Sequence, residues 1–354
     1  MIRANLSIFN FKGAKLLGEF LCVIILFSTT IKVMNYLLVN DTESYTRITI
    51  HEMYTQEENI DTLFLGSSHC YRSFDTSITD KYLGNTFNAG SSSQALDGSY
   101  ALLVEAGKEN DIKRVFLEFY YDTVTEEYSD RTELTSTYII SDYLKPSMNK
   151  YSYILSASSR EYWINGLFPA RRNWKNIFDG EIITENIVNK RGDAYRNYDY
   201  VDYGWEYYAG KGYVANTGIV NVDDYIDMEY DKIKQQHISE DNLLMLSKIA
   251  DYCEDNNIEL VLVVAPMPLF RLNKVGNYDE YISQASSIAR ELGVKFYDFN
   301  LCKDSFDNRC FMDDHHLNKV GAEKFSILFS KLFAGEMAEE GLFYSSMYEK
   351  LQRG

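Results

Sequence analysis

Five short apolar runs, each closed by a small or polar residue, recur along the chain: Asp61–Gly66 (DTLFLG), Asn85–Gly90 (NTFNAG), Arg114–Phe119 (RVFLEF), Ile258–Ala265 (IELVLVVA) and Val294–Phe299 (VKFYDF). Runs of this length and content predict buried strands. The fourth is nearly all β-branched or Leu, as a strand covered on both faces requires. Helical spacing fills the intervals at Ser93–Lys108, Asp241–Asp255, Asp279–Leu292 and Lys319–Phe333. In the second of these, Leu243, Leu246, Ile249 and Ala250 share one face. Strands alternating with helices predict a parallel sheet joined by right-handed crossovers, so the expected fold is an α/β three-layer sandwich on a five-stranded parallel sheet.

Two stretches fall outside that alternation. From Leu16 to Val39 the chain is mostly apolar and long enough for a membrane span, broken only by Glu19 and Lys32, which can snorkel toward a head-group layer. Arg3, Lys12 and Lys15 precede it and predict a cytoplasmic N-terminus. No small-x-small cleavage site follows Thr30, which favours an uncleaved anchor over a signal peptide; a buried helix of a soluble domain is the competing reading. The resulting expectation is residues 1–39 as N-terminus and anchor, 40–60 as a polar stem, 61–336 as one extracytoplasmic domain, and 337–354 as a tail. Within that domain, residues 123–240 exceed what one crossover needs. They are rich in aromatics, as in Tyr198–Tyr213, and read as an insertion capping the sheet. Such rings can stack on sugars, although core packing is their commoner fate. Arg171 and Arg172 could meet an anionic glycan, or be an ordinary exposed pair.

Charge narrows the partners. The net charge of −17 repels phosphate backbones, and no basic stripe offsets it, so nucleic acid is not an expected partner. The five cysteines match no zinc or redox spacing. Cys302 and Cys310 could close a small disulfide loop or remain buried thiols. Neither a metal nor an organic cofactor is expected, because no ligand cluster is visible in the spacing.

Ligands of open α/β sheets bind beyond the carboxyl ends of the strands. The first strand ends there in Gly66-Ser67-Ser68-His69. A serine after a strand and a glycine turn can be held exposed, near amides able to stabilise an oxyanion. It needs a base. Of the five histidines, His315 and His316 follow the fifth strand, and Asp313 lies close enough to His316 to orient its ring. The alternative for Gly66-Ser67-Ser68 is a strand-to-helix turn with a helix cap. His69 is either a substrate contact or a first-turn residue. His315 reads as a solvated neighbour, His51 and His237 as surface residues, and Cys70 as a poor nucleophile pointing along the helix.

Gly66-Ser67-Ser68 after the first strand and Asp313-Asp314-His315-His316-Leu317-Asn318 before the last helix resemble the first and last blocks of the SGNH (GDSL-like) hydrolase superfamily. The resemblance covers residues 61–122 and about 241–335. It implies a flavodoxin-like sandwich, Ser68 as nucleophile, Asp313 and His316 as its relay, and Gly90 as an oxyanion donor. The third-block asparagine is missing: Glu118-Phe119-Tyr120-Tyr121-Asp122 stands in its place, leaving Tyr120 or Tyr121 as substitute donors. Ser67 and His69 complete the expected oxyanion and substrate-binding set. The anchor and this departure are similar in layout to envelope transferases of lipoteichoic acid and exopolysaccharide acylation. The expected activity is therefore serine-dependent esterase or O-acyltransferase chemistry on a cell-envelope glycan or teichoic acid, at the membrane, with a membrane acyl-donor protein as a further partner. A non-catalytic glycan-binding or assembly protein on the same scaffold is the alternative.

Overall fold

A computed structural model describes residues 11–128, 131, 134–156, 160–199, 202–228 and 237–353. Of the features singled out above, Arg3, Tyr200 and Val201 lie outside them, and for Lys12 only the backbone is described.

The chain opens with α1 (Phe11–Leu38) and α2 (Tyr45–Thr55). The sheet begins with β1 (Thr62–Leu65), followed by α3 (Ser68–Ser73), α4 (Thr76–Leu83), β2 (Thr86–Asn88), α5 (Leu96–Ala106) and β3 (Arg114–Glu118). A long excursion carries the hairpin β4 (Glu206–Gly210) and β5 (Tyr213–Asn216). The chain returns through α6 (Glu240–Asp255), β6 (Glu259–Val264), α7 (Tyr278–Glu291), β7 (Lys295–Asp298), α8 (Lys319–Phe333) and α9 (Met347–Arg353).

All five predicted strands form, pairing in parallel in the order β2-β1-β3-β6-β7. With the hairpin set aside this is the flavodoxin-like order, whose switch point lies between β1 and β3. Alternation along each strand divides the core. Leu63, Leu65, Val115, Leu117, Leu260 and Leu262 face one layer, where α5, α6 and α7 bring Leu102, Leu246 and Ala285. Phe64, Phe116, Val261 and Val263 face the other, against Phe74, Phe299, Phe325 and Phe329. Phe329 sits 4.7 Å from Phe116 and 5.0 Å from Phe74, both edge-to-face, the arrangement ring quadrupoles favour.

The insertion caps the free edge of β2. The Asn88 amide donates to the Lys211 carbonyl at 2.9 Å, and Gly212 (φ +81°) passes so close that a Cβ there would lie 1.6 Å from the Asn88 carbonyl oxygen. Arg72 and Glu206 close the contact with a buried 2.7 Å ion pair, and Asn216 donates to the same carboxylate. Several aromatics of the insertion are packing groups. Tyr213 is buried, Tyr195 and Tyr198 sandwich Arg47, and Tyr198 stacks on His51 at 3.4 Å. Tyr203 and Trp205 remain exposed. Arg172 is committed to Asp142, and Arg171 to Asn165, so neither is a spare anion contact.

Residues 40–60 are not the polar stem expected from their sequence. They carry α2, capped by Ser44, and its Thr46, Thr49, Ile50 and Met53 recur at helical spacing and are buried. The 337–354 segment likewise packs: Met347 is buried, its amide donates to Asp279 at 2.6 Å, and Phe343 bridges to Cys302. Cys302 and Cys310 are free buried thiols.

The Lys15–Leu38 portion of α1 is long and apolar enough to cross a membrane; its most apolar 18 residues have a mean hydropathy of 2.0 and none of them is buried. Lys15 and Glu19 pair along the helix at 3.9 Å, which eases the charge of Glu19. The base of the helix is gripped by the insertion. Asn173 and Asn186 donate to the carbonyls of Leu38 and Leu37, each at 2.9 Å, and the Ala170 amide donates to Asn35.

Candidate active site

β1 delivers the chain to a tight elbow. Gly66 (φ +151°) has room for no side chain, since a Cβ would lie 2.4 Å from Glu118 Cβ. Ser67 then caps α3: its hydroxyl accepts from the His69 amide at 3.3 Å, while its own amide and hydroxyl donate to Glu118 Oε2 at 3.1 and 3.0 Å. Ser67 is thus a buried structural cap rather than a substrate contact through its hydroxyl. Ser68 follows at the first helical position with its side chain only partly covered.

At the far end of the domain, Phe311 and Leu317 pair across a loop and Asn318 caps α8, donating to the Phe311, Arg309 and Gly218 carbonyls. This pinch presents residues 312–316 to the elbow. Asp313 Oδ1 accepts the His315 and His316 amides at 2.9 and 2.7 Å, and Asp313 Oδ2 accepts His316 Nδ1–H at 2.7 Å. A carboxylate acceptor fixes the tautomer, leaving His316 Nε2 as the lone-pair nitrogen. The Ser68 hydroxyl donates to it at 2.7 Å, across 248 residues of sequence. Burial, aided by His315, pushes the His316 imidazole down to about 4 against the pull of Asp313. Burial works to raise Asp313, but the hydrogen bond and charge of His316 hold it below the ordinary carboxylate range. At neutral pH the arrangement is therefore a neutral base beside an ionised acid, which can take a proton from Ser68 and stabilise the imidazolium that results.

The remaining expected residues fare differently. Gly90 is buried and its amide is already donated to Asn88 Oδ1 at 3.1 Å, so it is not a free oxyanion donor. A Cβ at Gly90 would lie 3.0 Å from the Tyr71 amide, which gives the glycine a packing reason. The Tyr120 hydroxyl donates to Asp122 at 2.7 Å and accepts from Arg271 at 2.8 Å; the Tyr121 hydroxyl accepts from Arg271 at 3.2 Å. Their hydroxyls thus anchor Arg271 instead of replacing the missing asparagine. His69 is buried and stacks on Tyr120 at 3.9 Å, with His316 at 5.0 Å and His315 at 5.3 Å. Burial and then those two neighbours push it well below the ordinary histidine range. Burial likewise pushes the Cys70 thiol up, in keeping with an inert role.

Three groups were not visible in the sequence pattern. Arg271, on a single turn (Leu269–Leu272) after β6, reaches the site and pairs with Asp314 at 2.6 Å and Asp122 at 3.1 Å. Ser93 (φ +51°) turns into the same cleft from the loop after β2. Glu118 lies beneath the elbow, where burial pushes its carboxyl up to about 7 against the hydrogen bonds from Ser67. The cleft itself holds about 330 Å³ and is lined by Ser67, Ser68, His69, Ser93, Tyr120, Asp122, Thr123, Arg271 and His315. Among the described residues it also gathers three imidazoles, His69, His315 and His316, although no metal set was legible in the spacing.

One family model matches residues 224–338, the stretch from the end of the insertion through the Asp313–His316 loop and α8. No curated protein matches the sequence. Among solved structures, the chain is similar to a candidate platelet activating factor from Streptococcus pneumonia, at 11% identity and TM-score 0.38, covering 86% of this chain and 98% of that one. It is also similar to a GDSL-like lipase from Bacteroides thetaiotaomicron, at 9% identity and TM-score 0.37, covering 83% and 98%. The β2-β1-β3-β6-β7 parallel sheet has the flavodoxin-like order, with a glycine–serine elbow after the first strand and an Asp-x-x-His loop before α8 brought together at its edge.

Proposed function

We propose that the protein is a membrane-anchored serine esterase or O-acyltransferase acting on acylated cell-envelope polysaccharide or teichoic acid, with its sheet domain outside the cytoplasm. The observation that carries the reading is the 2.7 Å contact of Ser68 Oγ with an Asp313-oriented His316. In this reading Ser68 attacks the ester carbonyl as His316 takes its proton, and the imidazolium returns that proton to the leaving alcohol. Water or a sugar hydroxyl then attacks the acyl-enzyme with the same histidine as base. In this reading the Ser68 amide, which has no partner among the described residues, is one oxyanion donor, and the turn at Ser93, which lines the same cleft, supplies a second. Arg271, held at the cleft wall, adds positive charge near the developing oxyanion. The apolar helix and its grip by the insertion support action close to a bilayer.

The test is covalent labelling of the detergent-solubilised full chain by a fluorophosphonate, read by intact mass. A single adduct on Ser68 that is lost in Ser68→Ala and His316→Ala is the expected result. A folded wild type that takes no label overturns the proposal and favours the glycan-binding alternative. Transfer is separated from hydrolysis by adding an acyl donor together with a glycan acceptor and following acylated glycan against free acid.

A further inference from the structure

Imidazoles that hold a transition metal are neutral, and their second ring nitrogen is fixed by a carboxylate or carbonyl. Two histidines of the cleft already meet that description. His315 Nδ1–H donates to Asp314 at 2.6 Å and His316 Nδ1–H donates to Asp313 at 2.7 Å, so each leaves Nε2 with its lone pair. The third, His69, is buried, and its Nε2 has no hydrogen-bond partner. An unmatched buried ring nitrogen is unfavourable and calls for a partner. One ligand nitrogen from each of the three lies within 4.8 Å of the other two. Tetrahedral zinc places its nitrogens about 3.3 Å apart, so the ligand nitrogens need close by about 1.5 Å at most.

We propose that His69, His315 and His316 form a binding site for a divalent transition-metal cation, Zn²⁺ foremost, with a fourth position open to the cleft beside Ser68. Three imidazoles favour zinc, copper or nickel over magnesium or calcium, which prefer oxygen. Asp313 and Asp314 serve as outer partners; Asp314 is also paired with Arg271, which holds the carboxylate in place. The consequence is mutual exclusion. His316 Nε2 has one lone pair, which either accepts the Ser68 proton or binds the metal. A bound ion therefore silences the serine relay until it is removed.

The metal site does not rest on the esterase reading, and the experiment keeps the two apart. Metal-stripped full chain in detergent is titrated with Co²⁺ alone, following the visible absorption of tetrahedral cobalt, and then back-titrated with Zn²⁺. One equivalent that Zn²⁺ displaces is expected for wild type and for Ser68→Ala. His69→Ala and the half-exposed His315→Ala should each weaken binding by more than the about 10–100-fold that loss of an outer partner costs. Fluorophosphonate labelling of wild type should slow on adding Zn²⁺ and recover with a chelator. Folded wild type that shows no saturable cobalt spectrum, or His69→Ala and His315→Ala that bind as wild type does, would overturn the site. A cobalt spectrum with no labelling in metal-free protein would sink the esterase reading and leave the metal site standing.

Discussion

Glu118 offers a quantitative check on the electrostatics beneath the elbow. Burial pushes its carboxyl up to about 7, against an ordinary value of 4.5. A carboxyl raised in this way contributes stability that is fully present below about pH 4.5 and is lost as pH rises through about 7. At about 1.4 kcal/mol per pH unit, that interval corresponds to about 3 kcal/mol. Glu118→Gln keeps an oxygen to accept from the Ser67 amide and hydroxyl but removes the ionisation. The variant should therefore gain on wild type by about 2.5 kcal/mol between pH 5 and pH 8, whatever its offset at pH 5. Urea unfolding of both proteins at several pH values, followed by near-ultraviolet circular dichroism, measures the difference directly. Stability curves that run parallel from pH 5 to pH 8 would refute the burial argument.

The remaining expectations concern the base and the cap. Because burial holds His316 near 4, the neutral base persists well below the ordinary histidine range, and labelling of Ser68 should fall with an acid limb near pH 4; a half-point near 6.5 would contradict that. Gly212→Ala drives a methyl to 1.6 Å from the Asn88 carbonyl and should cost more than about 4 kcal/mol, visible as lost folded yield. Gly204→Ala, at φ +78° with open space around it, should cost only about 1–2 kcal/mol, measured by urea unfolding.

What the sequence made legible follows from how locally each feature is encoded. The strands could be read because their burial is written in contiguous apolar runs, as in Ile258–Ala265. Ser68, Asp313 and His316 could be singled out because each lies in a short block with its own turn chemistry. α2 was missed because its buried face uses Thr46 and Thr49 beside Ile50 and Met53, and because Arg47 is buried only through Tyr195 and Tyr198. Arg271 sits on a single turn and acquires meaning from Asp314, Tyr120, Tyr121 and Asp122, which come from distant parts of the chain. The expectation for Gly90 failed for a similar reason: the residue is where the resemblance puts it, but Asn88 takes its amide.

The approach of Gly212 to Asn88 bears on how such a protein can be dissected or recombined. An insertion that merely sat on a sheet could be exchanged between relatives or trimmed away like an accessory. Here the hairpin supplies the hydrogen-bond partner of the Asn88 amide and half of the Arg72–Glu206 pair. Excising residues 123–240 would thus leave a bare strand edge and a buried, unmatched arginine, a chain prepared for self-association. Changes in the hairpin and in β2 are therefore constrained to occur together, and the cap has to be inherited with the sheet that it covers.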